Sequence, residues 1–258
     1  IILIRFGSLN AEKIGAFSSH SELILCEKDH NIQPQKSFDI YFTSKSGFVC
    51  NRQLLLMLKR RMRVWEYSIF FYKVMKFFPI FRQHIIKPSK EDRDIHGLLE
   101  KSKIHLSFLS SEISQAETEM NTKMGITNKD KYVLIINRGK RYFEETFKNL
   151  DLSYHSYRYC SIQDFLPMGN MLTKKNYFVI RMGQKVDDLM KTNNSKIIEY
   201  DEKGYRSDLL DIFLSANCKF IVGVDTGFYC VAGWNFRKPV VAVNFSKMEY
   251  IEPWLSNW

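Results

Sequence analysis

Two arginines and one short turn stand where a phosphate group could be held. "YVLIINRG" reads as a fully apolar strand that delivers Arg138, and "YFVIRMG" as a strand that delivers Arg181 and then Gly183. "CKFIVGVDTG" ends on Asp225, Thr226 and Gly227, where a buried strand gives way to a short helix. In an open parallel sheet, ligands bind at the carboxyl ends of the strands. The planar fork of arginine suits phosphate oxygens. A helix N-terminus adds unpaired N–H groups and positive dipole character. Together the three junctions describe a site for a nucleotide diphosphate. Each residue also has a plainer reading. Asp225 can be the N-cap of the helix, with Thr226 in its first turn. Arg181 can pair with Asp187 or Asp188, and Arg138 can belong to a solvated basic loop with Lys140 and Arg141.

Other polar clusters are candidates of the same kind. "YHSYRYCS" sets His155 and Arg158 in a loop ahead of a helix, where the imidazole could act as a general base or hydrogen-bond a sugar or phosphate. A packed loop histidine is the alternative. "YRSDLLDIFLSA" places Arg206 and Asp208 around Ser207, the expected N-cap of a leucine-rich helix. Near the start, "IRFGSLN" reads as a strand followed by a turn at Gly7, as at the opening of a nucleotide-binding lobe, although the G-x-G-x-x-G pattern is missing. The six histidines are scattered and no H-E-x-x-H occurs, so neither a metal site nor a cofactor is expected. The lack of a G-x-S-x-G elbow and of a G-x-x-x-x-G-K-[ST] loop argues against a hydrolase of that type and a P-loop NTPase.

These residues need a scaffold that gathers strand ends on one edge. From Tyr132 onward, strands alternate with helices, which predicts a doubly wound α/β domain with a parallel sheet. Its strands are Tyr132–Asn137, Tyr177–Ile180, "KIIEY", Phe220–Val224 and "KPVVAVNF". Ser161 with Asp164 has the spacing of a capping box. In the first half, Ile1–Arg5, "SELILCEKD" and "FDIYFTS" read as strands. "NRQLLLMLKRRMRVWEYSIFFYKVMKFF" has helical spacing and ends at Pro79. "HLSFLSSEISQAETEMNTKMG" reads as a helix closed by Gly125. A boundary near Asn128 is expected, giving an N-terminal α/β lobe over 1–128 and a nucleotide-binding lobe over 129–258.

A chain of 258 residues with 45% apolar content can bury one large core or two modest ones. Five cysteines without a C-x-x-C pair fit a reducing, cytoplasmic setting. The formal charge is +10, and it is concentrated: from Arg52 to Lys90 there are ten Lys/Arg against one acid, Glu66. Interleaved with aromatic residues, this segment suits a solvated basic face, an anionic membrane surface at the inner side, or nucleic acid, in that order. No apolar run reaches the roughly 18 residues of a membrane span. The chain begins at Ile1 and stops at Trp258 soon after "PVVAVNF", so truncation at the C-terminus is expected.

"FIVGVDTGFYCVAGWNFRKPVVAVNF" resembles the C-terminal lobe of bacterial heptosyltransferases, and "YRSDLLDIFLSANCKFIVGVDTG" resembles the corresponding part of fucosyltransferases. With "IRFGSLN", "YHSYRYCSIQDFLP" and "YFVIRMG", the chain is similar to bacterial glycosyltransferases of surface-polysaccharide type. Two departures stand out: Ile136 and the run Phe228, Tyr229, Cys230 occupy places where those families carry histidine. The resemblance implies a GT-B-like pair of Rossmann-like lobes. It implies transfer from a nucleotide-diphosphate sugar to a saccharide or lipid-linked acceptor, and since no metal motif is visible, metal independence is expected. Arg138, Arg181 and the amides of Asp225–Gly227 would then hold the diphosphate. His155 with Arg158, or Asp208 with Arg206, would orient donor or acceptor, and Glu22 or Glu12 would be the base. A non-catalytic module that binds a nucleotide or polyanion at a membrane surface is the competing class. Nucleic acid is not expected as a partner.

Overall fold

The computed structural model describes residues 2–90, 93–138, 141, 145, 159–184, 186, 188–224 and 226–244. The chain divides into two compact units. Of the described residues, one holds 2–107 and Trp234–Arg237, and the other 108–233 and 238–244.

The first unit runs β1 (Leu3–Ser8), α1 (Ile14–Asp29), β2 (Ser37–Phe42), α2 (Arg52–Lys59), β3 (Arg63–Val64), α3 (Ser68–Phe77), a 3-10 helix (Pro79–His84) and β4 (Ile85–Ile86). Its sheet has the order β3-β2-β1-β4 with every pairing parallel. Arg5 of β1 is buried and grips Asp39 of β2 through Nε at 2.9 Å and Nη2 at 2.8 Å. Burial pushes the Asp39 carboxyl up, but hydrogen bonds from Arg5 and Lys28 outweigh it and hold the group below its ordinary value. β1 extends to Ser8, so Gly7 lies inside a strand and not in a turn. "SELILCEKD" is helical and not a strand. Ser18, Ser19, Ser21, Glu22 and Glu27 are all buried on α1, so polar residues on the inward side erase the apolar 3.6-residue period that marks a helix. The basic stretch expected as one helix is broken between Arg60 and Tyr67 by β3. Asn51 caps α2, its Oδ1 accepting from Leu54 N at 2.8 Å.

The second unit runs α4 (Ser110–Met124), β5 (Lys131–Ile136), a 3-10 turn (Ile162–Phe165), α5 (Leu166–Lys174), β6 (Tyr177–Arg181), β7 (Ile197–Glu199), α6 (Asp208–Asn217), β8 (Ile221–Gly223), α7 (Gly227–Cys230) and β9 (Val240–Ala242). The sheet order is β7-β6-β5-β8-β9, again all parallel. Central β5 is buried from Tyr132 to Ile136, as its unbroken apolar run requires. Val133, Ile135, Phe165, Leu172, Val179 and Val222 share one core cluster. Gly125 closes α4 at φ 66°, and Ser207 Oγ accepts from Leu210 N at 3.1 Å at the start of α6. α4, which precedes Asn128, lies in this second unit and packs on α6, with Phe108 edge-on to Phe213 at 5.4 Å between ring centroids. Two parallel sheets, each flanked by helices, make two Rossmann-like α/β lobes, the GT-B-like fold class expected above.

One glycine of the "GVDTG" motif has a packing reason. A Cβ on Gly223 would lie 2.2 Å from the backbone oxygen of Ile136, against the neighbouring strand and not against a side chain that can swing away. Gly223→Ala is therefore expected to force β8 off β5 and cost about 3 kcal/mol of unfolding free energy, measured by urea denaturation.

Candidate functional site

Three candidate residues of the second unit stand at the carboxyl ends of β5, β6 and β8. β5 pairs with β6 on one side and β8 on the other, so Arg138, Arg181 and Thr226 come from adjacent strand ends. Arg138 is buried and bridges in parallel to Tyr159. Thr226 occupies the N-cap position of α7 in extended conformation, which displaces the expectation that Asp225 is the cap. Thr226 makes no side-chain capping bond, and its Oγ1 is buried without a hydrogen-bond partner among the described residues. Asp225, His155 and Arg158 lie outside the described residues. Gly183, two residues past Arg181, has φ 144°, a conformation that favours glycine.

Arg181 is spent inside the protein. It is 2% exposed, its Nη1 stands 3.2 Å from Glu199 Oε2, and its Nη2 donates to Asn137 Oδ1 at 3.1 Å. Nη1 also donates to the Asp188 backbone oxygen. Among the described residues its acidic partner is Glu199, and Asp188 contributes its carbonyl, while Asp187 lies outside the described residues. This arrangement joins the ends of β5, β6 and β7 to the following loop. Glu199 in turn accepts from Met190 N at 2.7 Å. Asn137 and Glu199 were not among the sequence candidates: their partners are 44 and 18 residues away along the chain, beyond any local motif.

Arg206 and Asp208 belong to a second knot at the N-terminus of α6. Arg206 Nη2 lies 2.8 Å from Asp211 Oδ2 and 3.9 Å from Asp208 Oδ1. Burial pushes the Asp211 carboxyl up to about 7, against the attraction of Arg206. Asp211 was missed because an acid inside "DLLDIF" reads as the polar face of an amphipathic helix, yet it is fully buried.

The remaining candidates, Gly7, Glu12 and Glu22, lie in the first unit. Gly7 is a packing glycine: a Cβ there would meet Ile86 Cβ at 2.9 Å. Glu12 accepts from Ser46 Oγ at 2.6 Å in the loop after β1. Glu22 does not suit the role of an accessible base. It is completely buried, and its Oε1 accepts from Arg237 Nη2 at 2.8 Å and lies 2.9 Å from His105 Nδ1. The other ring nitrogen of His105 lies 3.1 Å from Asp29 Oδ2.

Glu22, Cys26 and His105 also place one ligand atom each within 4.8 Å of one another. The expectation of no metal constellation is corrected to that extent. Chain spacing hides the cluster, since His105 comes 83 residues after Glu22. The donor chemistry fits an ion pair better than a metal. Burial alone would lower the His105 pKa, but hydrogen bonds with Cys26 and Glu22 and the charge of Glu22 raise it to about 10. An imidazolium and a guanidinium already neutralise Glu22, and a metal would have to displace both. The expectation that the sequence has no D-x-D is also corrected, since Asp92 and Asp94 have that spacing. Asp92 lies outside the described residues, and Asp94 Oδ2 accepts from Leu99 N at 2.8 Å.

No protein-family model matches the chain, and no curated protein matches its sequence. Among solved structures, the fold is similar to "the glycosyl transferase family 9 from Veillonella parvula DSM 2008". The TM-score is 0.56 at 12% identity, over 93% of this chain and 80% of that one. At this identity the likeness is one of fold, and it supports a GT-B-like architecture.

Proposed function

We propose that the protein is a glycosyltransferase that moves a sugar from a nucleotide-diphosphate donor to a saccharide or lipid-linked acceptor. The observation that carries this reading is the juxtaposition of Arg138 and the buried, unsatisfied Thr226 hydroxyl at neighbouring strand ends of one parallel sheet. A diphosphate there would accept from both, and from the amides of Thr226 and Gly227. The chemistry follows from charge. As the glycosidic bond breaks, negative charge grows on the leaving diphosphate, and fixed donors that meet it lower the barrier without reorganising. Arg181 is a positioning residue in this scheme, since it holds Asn137 next to Arg138. Glu12 is the remaining candidate for taking the acceptor proton. The proposal routes no step through a metal, and transfer is expected to survive chelation by EDTA.

The test is calorimetric titration with uridine, guanosine, adenosine, cytidine and thymidine diphosphates. One of them is expected to bind, and Arg138→Ala to weaken it by about 1.5–3 kcal/mol, the range for a hydrogen bond to a charged group. The occupation of Glu22 by two cations favours a second reading, a nucleotide-binding module without transfer. Binding without release of nucleotide diphosphate from any donor sugar would select it.

A further inference from the structure

The α3 region presents apolar side chains outward on a surface that is almost wholly basic. One side of α3 is accounted for by packing. Phe71 stacks on Phe6 with ring centroids 5.4 Å apart, and Tyr72 meets Phe42 edge-on at 5.1 Å. The opposite side carries Tyr67, Phe70, Val74 and Phe77, spaced three or four residues apart and so aligned in one stripe. Tyr67 is 76% exposed, Phe70 66% and Phe77 80%, and Ile80 of the following 3-10 helix is 79% exposed. Single exposed apolar residues are ordinary, but an aligned group of this size marks a contact surface.

The charges around the stripe say what the contact is. All ten Lys/Arg between Arg52 and Lys90 are exposed. Lys73 and Lys76 lie on α3 itself and Arg82 in the 3-10 helix. The one acid of the segment, Glu66, is turned to Thr43, whose N and Oγ1 its Oε2 accepts at 3.1 Å and 2.8 Å. The segment itself carries no other acid to balance Lys73, Lys76 and Arg82. A flat array of anionic headgroups above an apolar interior satisfies both features: cations pair with phosphates while aromatic side chains enter the acyl boundary.

We infer that α3 and the 3-10 helix after it form a docking face for an anionic lipid surface, with Phe70, Phe77 and Ile80 inserted and Lys73, Lys76 and Arg82 at the headgroups. No helix among the described residues is long and apolar enough to cross a membrane, so the association is one of surface binding. This inference does not rest on the glycosyltransferase reading.

Co-sedimentation with vesicles tests it, using phosphatidylcholine alone and a 7:3 mixture with phosphatidylglycerol. The full chain is expected to bind the mixed vesicles at least tenfold better. Lys73→Glu with Lys76→Glu should lower that binding by tenfold or more, and Phe70→Ser with Phe77→Ser by a similar factor. Both pairs lie on the exposed side, and unchanged thermal melting and nucleotide titration would verify that the fold and the second unit are intact. Equal binding to both vesicles, or none, would overturn the inference. So would binding that the phenylalanine pair leaves unchanged, which would make the patch a solvated cationic face. A self-association lost with the phenylalanine pair, without vesicle binding, would assign the stripe to a second copy of the chain.

Discussion

Arg181→Ala is expected to destabilise the protein by about 3–5 kcal/mol, the cost of removing one partner from a buried ion pair. The loss is large because, among the described residues, the Glu199 carboxylate, Asn137 Oδ1 and the Asp188 carbonyl lose their donor together. Glu199 would keep its bond from Met190 N but carry a largely buried negative charge without a cation. Urea unfolding measures the effect. The double variant Arg181→Met with Glu199→Leu should recover much of it, since replacing both charges by apolar groups leaves none uncompensated. A phosphate ligand would behave in the opposite way: its truncation would leave stability unchanged and remove only nucleotide affinity.

Glu22→Gln should cost a similar amount, about 3–5 kcal/mol, because it strips the shared anion from two cations. His105 and Arg237 would face each other across a buried amide, with Asp29 on the outer side of the imidazole. The same cluster sets a pH dependence. The His105 pKa is raised from 6.5 to about 10, so the folded state holds a proton that the unfolded chain releases. The stability this contributes is complete below pH 6.5 and is lost as the pH rises toward 10. At ~1.4 kcal/mol for each tenfold difference in proton affinity, roughly 3–5 kcal/mol is at stake across that window. Urea midpoints should fall between pH 6.5 and 10 in the wild type, and far less steeply in Glu22→Gln. A flat wild-type profile would mean that His105 is neutral in the fold.

What could be read in advance was what local chemistry determines. β5 is apolar at every buried position, so its run declares a central strand without help from its neighbours. Gly125, Ser161 and Ser207 end or begin elements through their own backbone geometry or side-chain bonds, and each was legible. α1 was not, because its inward side mixes apolar residues with Ser18, Ser19, Ser21, Glu22 and Glu27, and Glu22 finds its partners far along the chain. The break in the basic helix was hidden for another reason: β3 is two residues long and is defined by pairing with β2, not by its own pattern. The site divides in the same way. The strand-end positions of Arg138, Arg181 and Thr226 followed from the alternation of elements. The internal use of Arg181 did not, since an arginine at a strand end looks the same whether it faces a ligand or a buried glutamate. Glu22 looked like an accessible acid because nothing near it in sequence announces His105 or Arg237.

The central claim is that the carboxyl ends of β5 and β8 hold a diphosphate. Calorimetry with the five nucleoside diphosphates, on wild type, Arg138→Ala and Thr226→Val, tests it most directly. One nucleotide should bind the wild type, Arg138→Ala should weaken it by about 1.5–3 kcal/mol, and Thr226→Val by about 0.5–1.5 kcal/mol, as for a neutral hydrogen bond. Thr226→Val should unfold at nearly the same urea concentration as the wild type. Failure of a folded wild type to bind any of the five, or binding that neither substitution weakens, would contradict the claim and leave Thr226 as an ordinary helix-start residue.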